Sequence, residues 1–555
     1  MKFSFTKSLI VALIILLGLS LRLNNINWDK GFHLHPDERF LTMVGNDIEF
    51  TKNISEYLNP EVSSLNPYNR GYNFFVYGIF PILLNKTIAV FFNNDNYFDF
   101  TLQGRVLAGL ADTLTIVLVY KTLLLFEKKL NFNKSIKYWA SFFYSVMVLP
   151  IQLTHFFAVD TFMNLFVFAS FYFALKYLLN MNKRNIYLSA IFLGLGIGSK
   201  ISAVLILPLI SYLIWVKNIN LKKFFKINFI YFVILYFTLR IFNPYLFENS
   251  NFLNPSINKL FIENIRTLKS FEGFSTWYPP AIQWINKIPI IFSLNNLIFF
   301  GVGAIIFFFF LYGVFSALKL RKNSLLKVIF IWLFGVFIFQ SVQFVKVMRY
   351  LFLIYPFIAI FAGIGAYSLG KFFKKKDYLN LYISLVIFLS LIWPLSFSQI
   401  YKKDHSRIEA SKWIHKNIEA GSTILTENWD DSLPLPLENS PKSFINSQIT
   451  VFDMDTPQKW KKMNELLGKG EYLILSSNRG WGSITTAPEK YPLMSKFYED
   501  LFQNKLEYKK IKEISSYPKF YLSGLNIQFN DSSADESFTV YDHPKVMIFK
   551  KEKTR

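Results

Sequence analysis

Residues 72–92, YNFFVYGIFPILLNKTIAVFF, are long and apolar enough to be read as a membrane crossing, and whether they are one decides the topology of the whole chain. A crossing needs about 17–25 apolar residues to span a hydrocarbon core of about 30 Å. Such runs also lie near 8–23, 104–126, 138–157, 161–180, 187–199, 201–216, 227–242, 295–318, 328–345, 350–370 and 379–399. Five loops between them are basic: Glu127 to Lys137, Met181 to Asn185, Lys217 to Lys226, Lys319 to Lys327, and Lys371 to Asp377. Lys and Arg in short loops stay on the cytoplasmic side. With 72–92 left out of the count, all five loops fall on the same side as the N-terminus; counting it breaks the parity of every later loop. The segment is therefore expected as a juxtamembrane or re-entrant helix on the outer face, with Tyr72, Phe74, Phe75 and Tyr77 at the aromatic-rich interface.

The expected fold is an α-helical polytopic membrane protein of about eleven crossings with a C-terminal extracytoplasmic α/β domain. Residues 1–400 form the membrane part, 24–103 an outer loop with juxtamembrane helices, and 401–555 the soluble domain. The N-terminus is expected in the cytoplasm and the whole in the plasma membrane. The run 8–23 follows Lys2 and Lys7 as a signal peptide would, but no small-residue cleavage site follows Leu21-Arg22-Leu23, so it reads as an uncleaved helix. Beyond 400 helical runs (Ser406 to Ile418, Pro457 to Leu467, Glu489 to Gln503) alternate with strand-like ones (Thr423 to Thr426, Tyr472 to Ser476, Val546 to Lys550). Composition agrees: the 555 residues are 52% hydrophobic and only 17% charged, which points to lipid as solvent. The net charge of +23 is explained by the inner loops and needs no nucleic acid. With no cysteine, thiol nucleophiles and thiolate metal sites are excluded.

A few charges break this pattern by lying on the outer face. The first loop carries GFHLHPDERFL, residues 31–41. Pro36 disfavours helix at His35 and suits an early helical position, which sets Asp37 and Glu38 at a helix N-terminus. A carboxylate held there fits general-base work, since partial desolvation raises its basicity. A solvated loop helix is the plainer reading. Asp160, in THFFAVDTFMNLF, emerges on the same face from apolar surroundings and is a functional candidate on that ground, although it could equally cap the helix starting at Thr161. His155 precedes it by five residues and is more simply structural. Arg105, Lys200, Lys346 and Arg349 all fall at outer ends of crossings, where ordinary orientation puts few cations. Beside carboxylates they could bind an anionic lipid head group, Arg bidentately and Lys as a point charge; salt bridges to Asp37, Glu38 or Asp112 are the alternative. His35 with Asp37 is a weak metal pattern.

The His-Pro-Asp-Glu at 35–38, the Val-Asp-Thr at 159–161, the Gly-Ser-Lys at 198–200 before an apolar run ending at Pro208, and Arg349-Tyr350 followed by Tyr355-Pro356 resemble the GT-C superfamily of polyprenyl-phosphate-dependent glycosyltransferases. Glycosyltransferase family 39, with the protein O-mannosyltransferases and the lipid A aminoarabinose transferases, is the branch most similar. The resemblance covers about residues 8–400. It implies a sugar donor on a polyprenyl monophosphate, an outward-facing inverting reaction, and a protein, lipid or glycan acceptor. By the same resemblance Asp37 is the base and Glu38 its companion, and Asp160 orients acceptor or base. Lys200, Arg349, Arg105 and Lys346 would hold the donor phosphate. No cofactor is expected. The segment EASKWIHKNIEAGSTILTENWDD is similar to the entry of the soluble domain of oligosaccharyltransferase catalytic subunits, where a Trp-Trp-Asp motif reads the acceptor peptide. Here only Trp429, Asp430 and Asp431 follow Asn428, which also fits a plain turn at a strand end.

Two other readings compete. A metal-dependent oligosaccharyltransferase-like enzyme would need Mn²⁺ or Mg²⁺ and a second carboxylate near Asp160, where the sequence offers only Asn164 one helical turn on. A lipid or amphiphile transporter would need midplane charges and repeated halves, and the sequence has no such repeat.

Overall fold

A computed structural model describes residues 2–552 apart from 181, 320–323, 439, 441 and 523, with side chains from residue 8 onward. The side chains of Lys2 and Lys7, Met181 and residues 320–323 of the basic loops therefore lie outside the described residues.

Apolar sequence becomes helix through the membrane part, because backbone polar groups in lipid must be satisfied within the segment itself. Among the described residues six stretches are long and apolar enough to cross: Tyr97–Leu130, Val159–Asn180, Leu221–Phe242, Ser324–Ser341, Met348–Gly370 and Lys376–Asn417. The pair Ile291–Val302 and Ala304–Lys319, bent by 112°, makes a seventh if counted as one span. The remaining expected crossings are shorter or broken. Residues 138–157 divide into Ser135–Val146 and Val148–Thr154 at an extended Met147. Pro150 accounts for the break, since its ring displaces the carbonyl of Val146 four residues back. Residues 201–216 begin as a 3₁₀ turn, Ile201–Ile206, before the helix Leu207–Lys217 with Pro208 in its first turn. The molecule is a multi-pass membrane protein, although the count of eleven does not follow from these helices alone.

The segment 72–92 is irregular to Ile79 and then a twelve-residue helix, Phe80–Phe91. At 1.5 Å per residue this helix is about 18 Å long, too short to cross. Asn85 ties it to the Tyr97–Leu130 helix by donating to the Phe100 carbonyl.

The C-terminal region is a small sheet domain. Strands β1 (Thr423–Glu427), β2 (Ile445–Ile449), β3 (Tyr472–Leu475), β4 (Tyr508–Ile514) and β7 (Val546–Lys551) form one sheet of order β2-β1-β3-β7-β4, while β5 (Lys519–Leu522) and β6 (Leu525–Gln528) form a separate hairpin. β2, β1 and β3 run parallel and β7 is antiparallel to both neighbours. The segment 531–543 joins this domain to the membrane helices. The backbone N–H of Met348 donates to Asp535, Asn296 accepts from the Asp535 N–H, and Gln152 donates to the Phe538 carbonyl and to Asp542.

Candidate active site

Two ion pairs lie where the first loop, two inter-helix turns and the sheet domain converge. Asp37 follows Pro36 in the first turn of helix Pro36–Asp47, whose N-cap is His35; the His35 Nδ1 accepts the Glu38 N–H. Asp37 is 2.5 Å from Arg349, in the 3₁₀ turn Met348–Ile354. Asp160 is the second residue of helix Val159–Asn180, so it sits inside the first turn and does not cap it, and it pairs with Lys200 at 2.7 Å. Both carboxylates thus stand at helix N-termini, where the macrodipole favours an anion. The pairs also feel each other, Lys200 acting on Asp37 and Asp160 on Arg349. The side chains of Asp37, Arg349 and Lys200 are each about one fifth exposed (24%, 20% and 19%), while that of Asp160 is buried.

The backbone fixes this geometry. Gly78 donates to the Ser199 carbonyl and Phe80 to that of Gly198, bringing the 72–79 segment against the turn that presents Lys200. A Cβ on Gly78 would fall 1.9 Å from the Gly198 oxygen, so no larger residue fits. Tyr77, one residue earlier, thereby stands close enough to feel the Asp37 carboxylate instead of lying at the lipid interface expected for it. The Tyr350 ring lies 5.1 Å from the Lys200 ammonium. Tyr278, from the loop after Leu221–Phe242, is close enough to feel Asp37, Arg349 and Tyr350.

Burial alone would raise the Asp37 carboxyl. Arg349, with His35 and Lys200, outweighs it, and Asp37 lies well below the usual carboxylate range. The resting carboxylate is therefore a weaker base than desolvation alone suggested. Burial also pushes His35 down to about 4, Arg349 adding to it against the opposing pull of Asp37 and Asp542, so the imidazole is neutral near pH 7.

Arg105 and Glu38 stand apart from this cluster. The five N–H donors of Arg105 meet five acceptors: two carboxylate oxygens of Glu38, two of Asp29 and the Ile26 carbonyl. The guanidinium also lies 5.0 Å from the Trp28 ring. Nothing remains to hold a phosphate, so the expected donor contact at Arg105 is corrected to a buried tie. Glu38 is fully buried, bonded to Arg105 and to the Phe157 N–H, and is a structural partner of Asp37 only through their shared helix. Arg349 differs, because its Nε is buried without a partner among the described residues and can still donate. Lys346 bonds to the Phe344 carbonyl and its ammonium lies over the Phe344 ring. His155 has its two ring nitrogens 2.8 Å and 2.9 Å from the carbonyls of Ile151 and Asn24, can donate to one of them as a neutral ring, and stacks on Tyr401, a packing role. Asn164 donates to the Tyr144 hydroxyl, which donates to Asp112, the partner of Arg22.

The sheet domain closes the site from one side. Asp430 accepts from Arg407, from Ser477 and from the Asp431 N–H, which makes it a strand-end clamp. Asp431 bridges Arg407 and Arg39, the latter two residues past Asp37. Trp429 remains half-exposed at φ +66°, edge-on to Tyr278 at 5.9 Å, with its carbonyl held by Arg479. Tyr541 packs on His35 at 4.4 Å and feels both Asp37 and Arg349. Tyr77, Tyr278 and Tyr541 have no sequence signal as site residues, because only folding brings them to Asp37.

A metal fits poorly here. The His35 Nδ1 lone pair is occupied, its ring is held between Phe156 and Tyr541, and each carboxylate is already matched by a cation. Among the described residues no three His, Cys, Asp or Glu stand close enough to share an ion.

A family model described as dolichyl-phosphate-mannose-protein mannosyltransferase matches residues 98–247, which include Asp160 and Lys200. The oligosaccharyltransferase of Archaeoglobus fulgidus in complex with zinc and sulfate superposes with a TM-score of 0.52 at 12% identity, over 94% of this chain and 73% of that one. The chain has the GT-C fold. The same archaeal enzyme tethered to an acceptor peptide containing an NVT sequon matches this chain over 98% of its length and 88% of the other, at 11% identity and a TM-score of 0.52. ArnT of Cupriavidus metallidurans in the apo state is matched over 99% of this chain and 98% of that one, at 11% identity and a TM-score of 0.46. No curated protein matches the sequence. The GT-C likeness spans both the membrane helices and the sheet domain.

Proposed function

We propose that the protein is an inverting glycosyltransferase that moves a monosaccharide from a polyprenyl-phosphate donor to a protein, lipid or glycan acceptor on the outer membrane face, with the sheet domain on that face and the N-terminus in the cytoplasm. One observation carries the reading. Two carboxylates and two cations are paired at the boundary of the membrane helices, and the Arg349 guanidinium retains a buried N–H without an acceptor. The family-model description, which names a lipid-phosphate mannose donor, supports the donor class; mannose itself is an expectation from that name.

In this reading Asp37 accepts the proton of the acceptor hydroxyl or amide as its oxygen or nitrogen attacks the anomeric carbon. The bond from that carbon to the phosphate oxygen breaks, polyprenyl phosphate departs with the electron pair, and Arg349 and Lys200 stabilise its growing charge. A phosphate leaving group needs no general acid, so a second protonated carboxyl is not required. Arg349 has two tasks that follow each other. While it faces Asp37 it holds that carboxyl low; when it turns to the donor phosphate, Asp37 keeps its burial without its counter-charge and becomes the stronger base. Asp160 holds Lys200, and Tyr77 stands beside the Asp37 carboxylate. No cofactor enters these steps.

The test is Asp37→Asn in the full-length enzyme reconstituted with polyprenyl-phosphate mannose. Transfer should fall about 100- to 10,000-fold, the range for a general base, while donor binding persists. Near wild-type transfer by a folded variant would show that Asp37 is not the base. A chelator added to the wild-type assay separates the metal-dependent reading, which alone expects activity to be lost.

A further inference from the structure

The β5–β6 hairpin has a use that glycosyl transfer does not require. Its register pairs Phe520 with Ile527 and Leu522 with Leu525 across one face, and Lys519 with Gln528 and Tyr521 with Asn526 across the other. Directly opposed residues of an antiparallel pair share a face, so one face of the ribbon is wholly apolar and the other polar. Phe520 on the apolar face is buried, yet Leu522, Leu525 and Ile527 beside it are 44%, 57% and 42% exposed. A two-stranded ribbon in water normally turns such a face onto protein. The protein surface continuous with it belongs to the helix Lys376–Ser398, which exposes Leu381, Leu385 and Phe388. Phe520 meets Phe388 at 6.4 Å and Phe529, just past β6, meets Trp393 at 5.6 Å. Phe388 is ten residues before the end of that helix, about 15 Å along its axis. The hairpin therefore descends beside a membrane helix and does not stand away from it over the sheet.

We propose that the apolar face of β5–β6 seats in the acyl chains of the leaflet on the sheet domain's side, making the ribbon a lipid-contacting foot of that domain. The exposed row of Leu381, Leu385 and Phe388 meets the hairpin where Phe388 contacts Phe520, on the same face as the exposed Leu522, Leu525 and Ile527. The opposite face keeps Lys519, Tyr521, Asn526 and Gln528 with head groups and water, where the outward backbone groups of two unpaired edges can find partners. An amphipathic element with these two faces lies in the interface and does not span it. The argument is independent of which reaction the enzyme performs.

The chain has no cysteine, so a single introduced thiol takes a single label. Leu525→Cys and Ile527→Cys, each at an exposed position, are nitroxide-labelled in the full-length protein in phosphatidylcholine–phosphatidylglycerol vesicles, with Met454→Cys on the exposed loop after β2 as reference. Collision with oxygen, which concentrates in acyl chains, should exceed collision with a water-soluble nickel chelate several-fold more at 525 and 527 than at 454. Nickel accessibility at both hairpin positions equal to that at 454 would overturn the proposal.

Discussion

Arg105 marks the point where a sequence reading and a structure part. A lone arginine at the outer end of a crossing looks available to an anion, but Asp29 and Glu38 stand within 2.8 Å and 2.5 Å of its guanidinium and all three are buried. Removing the cation leaves two uncompensated buried carboxylates. Arg105→Met should therefore destabilise the protein by about 3–5 kcal/mol, read as a lowered melting temperature in detergent. If instead Arg105 touched the donor phosphate, the variant would melt normally and raise only the donor KM. Asp160, Lys200 and Arg349 could be picked from the sequence because each is a charge in an apolar setting on the expected outer face, and Asp37 because Pro36 sets it at a helix N-terminus on that face. Arg105 met the same criterion, and what the criterion missed was Asp29, a loop acid with nothing in its neighbourhood to distinguish it.

At the scale of elements, a glycine and a short irregular segment decide whether Tyr77 and Lys200 converge. Gly78→Ala places a methyl 1.9 Å from the Gly198 oxygen and 2.7 Å from the Ser199 nitrogen, and backbone cannot yield as a flexible side chain could. The two segments must separate, carrying Tyr77 off Asp37 and Lys200 off its place. A shift of about 1 Å in a site can cost about 100-fold in rate. Transfer by Gly78→Ala should fall by about that factor in kcat, with a lowered melting temperature from the strained Gly78–Ser199 and Phe80–Gly198 bonds; an unaltered kcat in the folded variant would show that the contact does not position the site. The brevity of Phe80–Phe91 was legible from loop parity, whereas the pairing of Gly78 with 198–199 spans 120 residues and leaves no local trace. Strands β1, β3 and β7 were legible as apolar runs. Strands β2, INSQI, and β4, YKKIKEI, were not, because both lie at sheet edges, where polar and Lys-rich sequence protects open backbone and erases the hydropathy signal.

At the scale of the whole molecule, the sheet domain is held to the membrane helices through a buried charged triad. His543 lies 2.8 Å from Asp531 and 2.5 Å from Asp542. The other oxygen of Asp542 accepts from Gln152 of the membrane part and from Tyr401, in the short turn just past the helix Lys376–Ser398. Burial lowers the His543 imidazole, but Asp542 and Asp531 outweigh it and carry it to about 10. The unfolded value is about 6.5. Because the folded value is the higher, the native state holds the extra proton between the two. The triad's contribution to stability is complete below about pH 6.5 and is lost as pH rises through about 10. Asp531→Asn removes one of the two carboxylates that hold the proton, so the imidazole should release it nearer neutrality. Melting temperature against pH, measured on full-length protein in detergent from pH 6 to 10, should then begin to fall at a lower pH in the variant than in the wild type. Identical profiles would mean that His543 does not carry the charge joining the two parts. A displaced profile would mean that the seam fixing Tyr541 against His35 depends on one protonated imidazole, so alkaline pH would loosen the active site from the sheet-domain side.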